Sequence, residues 1–123
     1  MKVNQKQINK AYTALVYLSK LKLPIKTSYD LYKMVKMMEE KVSFVIEEER
    51  KLLACYNGNV DEQGAVHFKD EDSATKFNEE HEELLLLEHN LDTEPVVIDM
   101  NTISDQRISM TDIANLEGFV SFK

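Results

Sequence analysis

The stretch "LYKMVKMMEEKVSFVIEEERKLLACY", residues 31–56, decides the fold. Leu31, Met34, Val35, Met38, Val42, Val45, Ile46, Leu52, Leu53 and Tyr56 recur at the spacing of one helix face. No proline or glycine falls between Pro24 and Gly58, so a helix is predicted over about 28–56. Thr27 is its predicted cap, answered by Asp30 three residues later. Asn57-Gly58 is the predicted stop, with glycine in the left-handed position. Two residues complicate a simple core. Glu49 sits in the apolar stripe and needs a lysine partner or an escape to solvent. Met37 and Phe44 are aligned on the opposite side, toward another helix of the chain, a partner or a second copy.

Working outward, residues 4–21 read as a first helix with Ile8, Ala11, Tyr12, Leu15, Leu18 and Ser19 on one face. Pro24 ends it, because it disfavours helical backbone at Leu23. The two helices are predicted to form an antiparallel pair. "NVDEQGAVHF", residues 59–68, reads as a short hairpin turning at Asp61–Gly64. Residues 70–90 follow as a third helix, acidic and amphipathic, capped by Asp70 or Asp72. Its inner face is Ala74, Phe77, His81, Leu84, Leu85 and Glu88. "VVIDM" at 96–100 is a predicted strand that joins the hairpin in one small sheet. A last helix begins near Ser109 and uses Ile113, Leu116 and Phe119. With no repeat or linker in sight, the expectation is one α+β domain over 1–123, mainly helical.

Composition narrows the function classes. The 123 residues are 43% hydrophobic and 30% charged, as in an ordinary globular domain. The net charge of −7 is divided unevenly. Residues 1–60 carry 11 basic against 6 acidic side chains, and residues 61–99 carry 2 against 13. That balance argues against nucleic-acid binding. The N-terminal lysines are expected to face the acidic segment or to lie solvated. No stretch approaches the length of a membrane span and the N-terminus lacks the apolar region of a secretory signal, so a cytoplasmic protein is expected. Cys55 is alone and is expected to be a small buried hydrophobe.

Residues 70–90 hold eight carboxylates and two histidines, yet the spacing suits no metal. In His81-Glu82-Glu83-Leu84-Leu85 a leucine stands where a zinc-protease helix has its second histidine. Asn78 stands where a Glu-x-x-His motif has its acid. On a continuous helix His81 and His89 would lie about 12 Å apart, and His81 and Glu88 about 10 Å apart, too far to act together. No nucleophile elbow or phosphate-binding glycine loop exists. The expectation is a protein without catalysis, metal or cofactor that acts by binding protein.

Two surfaces are candidates. Asp61, Glu62, Asp70, Glu71, Asp72, Glu79, Glu80, Glu82 and Glu83 could enter a cationic groove in place of phosphates. Met37 and Phe44, with Tyr17 and Tyr29 beside them, could form an apolar contact or a homodimer surface.

The order of features also resembles a known group. A Lys/Glu-rich helical hairpin, "YNGNVDEQGAVHFKD", the acidic "FNEEHEELL", then "EPVVIDM" and a terminal helix resemble small uncharacterised bacteriophage and prophage proteins of Gram-positive hosts. Those proteins carry a "DENG" turn, where this chain has Asp61-Glu62-Gln63-Gly64. The resemblance covers most of the chain and brings no catalytic residues. It implies an accessory or assembly factor in the host cytoplasm or on the virion, or an inhibitor of a host defence protein.

Overall fold

The computed structural model describes all residues, Met1–Lys123. Helix α1, Gln5–Ser19, opens on a reciprocal cap: Asn4 accepts from the Gln7 backbone N–H, and the Gln7 side chain accepts from the Asn4 N–H. The short link 20–24 turns the chain back, so α1 packs on the first half of α2, Ile25–Cys55. This helix starts three residues earlier than its spacing predicted. Pro24 stands at the cap and its carbonyl accepts from Ser28 N–H at 3.0 Å, so Thr27 lies inside the first turn with no capping bond. Asp30 instead takes Lys26 at 2.7 Å and Lys33 at 3.6 Å. Lys26, by its hydrogen bond first, holds the Asp30 carboxyl below the usual range.

At the far end of α2 the left-handed residue is Asn57, φ 53°, rather than Gly58. Gly58 donates to Leu53 O at 2.8 Å and Asn57 to Ala54 O at 3.4 Å, the two bonds of a Schellman closure. Gly58 lets side chains close in: a Cβ there would stand 2.8 Å from the Leu53 side chain and 3.0 Å from that of Phe68, which would have to shift.

The strands are short and form three separate pairs. β1, Lys2–Asn4, runs antiparallel to β4, Glu88–Asn90. β2, Asn59–Val60, and β3, Val66–His67, make the hairpin. β5, Val96–Ile98, lies parallel to β6, Val120–Phe122. The expected joint sheet of hairpin and "VVIDM" does not form, because residues 96–98 find their partner at the C-terminal end. The third helix, α3, runs Glu71–Leu85 and stops short of 90. Its last turn has no basic residue to offset the helix dipole, and the following segment is taken by β1. Gln5 N–H donates to Leu87 O, and Leu91 N–H to Met1 O. Glu88 therefore lies on a strand, paired with Lys2, and not on the inner helix face. Helix α4, Met110–Asn115, is capped by Ser109 as its sequence predicted; Leu116 and Phe119 are buried, while Ile113 is exposed.

Sixteen buried residues from α1, the first half of α2 and the β1, β5 and β6 region form the main core. Ile8, Leu15, Leu18, Leu31, Met38, Ile98 and Leu116 are fully enclosed in it. Val45, Phe77 and Leu84 are buried apart from this cluster, where α3 meets the second half of α2. Cys55 is exposed, contrary to expectation, because it falls on the open side of the last turn of α2. No helix is long and apolar enough to cross a membrane.

Candidate functional site: the outer face of helix α3

The acids of residues 61–94 divide into two groups. The first builds structure. Asp61 accepts from the backbone N–H groups of Gln63 and Ala65, both at 2.9 Å, and from His67 Nε2 at 2.7 Å. The His67 bond first, then the backbone donors, hold its carboxyl below the usual range. Asp70 caps α3 by accepting from Ser73 N–H at 2.7 Å, which lowers its pKa in the same sense. Asp72 pairs with Lys76 one turn on. These three carboxylates are engaged within the fold.

The second group has no cation partner. Glu62, Glu71, Glu79, Glu80, Glu82 and Glu83 have no cation within 4.0 Å. The N-terminal lysines do not face them: Lys2–Glu88 at 3.2 Å is the one ion pair that joins residues 1–60 to 61–94 through a lysine. Glu80 lies toward the end of α2, beside Tyr56, and its carboxylate is the first cause of a phenol pKa pushed up to about 12. Glu79, Glu82 and Glu83, with Thr75 and Asn78, line one shallow furrow on the outside of α3. An amphipathic helix that spends its apolar side on α2 must show this side to solvent.

The inner side of α3 answers the question posed by Glu49. Its carboxylate accepts from His81 Nε2 at 3.0 Å, so its partner is a histidine rather than a lysine. The His81 ring stacks on Phe77, centroids 5.4 Å apart, and Phe77 meets Phe68 of the hairpin at 4.9 Å. His89 is engaged elsewhere. Its Nε2–H donates to Oε1 of the fully buried Gln5 at 2.7 Å, and Gln5 Nε2 donates to Asn9 Oδ1 and Lys41 O. The two histidines share no site, and no three of the His, Cys, Asp and Glu side chains converge as metal donors.

The predicted apolar surface comes apart. Met37 packs against the main core. Phe44 is exposed, and so is Tyr29, about 22 Å away along α2 at 1.5 Å per residue. Tyr29 stacks on Tyr32 under the Lys33 ammonium. Tyr17, on α1, donates its hydroxyl to Arg107 O at 2.5 Å. Sequence reading missed a more continuous apolar groove of about 230 Å³, lined mainly by Met100, Ile103, Ile108, Ile113 and Phe122. Its residues come from four short segments, so no periodicity marks it.

Compared with family models, curated proteins and solved structures, the chain matches none.

Proposed function

We propose that this chain is a non-catalytic protein that acts by binding another protein, with the outer face of α3 as its contact. The observation that carries the reading is the set of exposed, unpaired carboxylates Glu79, Glu82 and Glu83 on one furrowed helix face. Such a face suits a basic protein surface, including a groove that otherwise holds nucleic acid. Exposed pairs are individually weak, so capture should be fast and sensitive to salt. The setting we propose is the host cytoplasm of a bacteriophage or prophage, which rests on the order of sequence features alone. There it would act as an inhibitor of a host defence protein. The accessory role in particle assembly is the second reading, supported by the exposed Phe44 and Tyr29.

Affinity capture from phage-infected cells tests the choice, using the wild type and the variant Glu79→Lys/Glu82→Lys/Glu83→Lys. A defence protein retained at low salt, and lost both at high salt and with the variant, supports the acidic-face reading. Retention unchanged by the three substitutions refutes it.

A further inference from the structure

We propose that the α3 face takes a second occupant besides a host protein, the outer face of α1 on another copy of this chain, so that molecules self-associate. The inference rests on the reading of α3 as a protein-binding face and names an additional occupant of it. Residues 1–29 contain six lysines and no Asp or Glu. On α1 and its cap the exposed Lys6, Lys10, Thr13, Tyr17 and Lys20 follow one another by four, three, four and three residues. That spacing draws one stripe about 21 Å long on a helix. Lys6, Lys10 and Lys20 have no acidic partner in the molecule.

The stripe on α3 is its counterpart in sign and pitch. Glu79 and Glu83 are one turn apart, about 6 Å, and so are Lys6 and Lys10. Two such helices laid side by side meet charge to charge. Each stripe also carries an exposed apolar side chain, Tyr17 on one and Leu86 at the end of the other. Within one molecule no ion pair joins the two stripes, although α1 and α3 touch where both pack near α2. Because the two patches differ, the contact sets α1 of one copy on α3 of another, either reciprocally about a two-fold axis or head to tail.

Sedimentation of the full chain tests this. The mass of the wild type should rise with concentration in roughly 20 mM salt. It should return to the 14.3 kDa of one chain in about 1 M salt, where charges are screened within about 3 Å. Lys6→Glu/Lys10→Glu/Lys20→Glu should stay monomeric, and so should Glu79→Lys/Glu82→Lys/Glu83→Lys. All six positions are exposed, so an unchanged helical circular dichroism spectrum is expected of both. Mixed in equal amounts, the two variants should associate again, because each then meets a face of opposite charge. A wild type that is monomeric at every concentration in low salt overturns the proposal, as does association that either variant leaves intact. If that monomer is still captured by immobilised polylysine through α3, the self-association fails while the binding-face reading stands.

Discussion

Helix α2 is buried in two different ways along its length. Around Leu31, Met34 and Met38 it lies in an aliphatic core with α1 and the C-terminal strands, where side chains are almost entirely enclosed. From Val45 onward it holds α3 and the hairpin through fewer buried groups, Val45, Phe77 and Leu84, supplemented by the half-exposed Glu49–His81 bond. The first region is secured by area removed from water, the second by a thin aromatic contact and polar links. The face proposed for a partner thus belongs to the less deeply anchored region, as is common for binding elements.

The largest expected effect breaks this comparison directly. Leu15→Ala removes a fully buried side chain from the main core and should cost about 2–5 kcal/mol. The loss should appear as a lower denaturant midpoint for the whole chain. Phe77→Ala should act locally, raising amide exchange in residues 59–85 while α1 keeps its protection. If protection in both regions falls together, they are one cooperative unit and the division is wrong.

How far the sequence foretold these two regions depends on the range of the signal. The helices were legible because Leu31 to Tyr56, and Ile8 to Leu18, repeat within a few residues. The Asp70 and Ser109 caps were legible for the same local reason. The strands other than 59–67 and 96–98 were not. Each of Lys2–Asn4, Glu88–Asn90 and Val120–Phe122 is three residues long, too short for alternation to show. Their pairing is decided by chain segments far apart, and the recruitment of 88–90 by the N-terminal strand is what shortened α3. At the candidate site, the solvent side of the acids was visible from helical pitch. Which acids were already engaged was not. Asp61 turns inward on its own hairpin, and Glu49 meets a histidine on another element.

A second test sharpens the first region. Its one buried polar residue is Gln5, and His89 is the titratable member of that network. Burial first, and then nearby Lys41, hold the His89 pKa below its ordinary 6.5. A depressed histidine binds its proton more readily in the unfolded chain. Its contribution to stability is therefore present above 6.5 and is lost as pH falls through the folded value. The denaturant midpoint should fall between about pH 7 and about pH 5 by more in the wild type than in His89→Asn. Equal slopes in the two proteins would assign the acid sensitivity to other groups.

The smallest effect tests the polar link in the second region. Glu49 and His81 are 39% and 27% exposed in their side chains, so water screens their attraction. A double-mutant cycle with Glu49→Met, which removes the acceptor, and His81→Phe should give a coupling of about 0.5–1 kcal/mol. Phenylalanine keeps the stack on Phe77 while deleting the donor, so the cycle isolates the hydrogen bond from the ring packing. A coupling near zero would leave Phe68, Phe77 and Leu84 as what fastens α3 to α2. A coupling well above 1 kcal/mol would mean that the pair is shielded from water as firmly as the main core, and the contrast between the two halves of α2 would then fail.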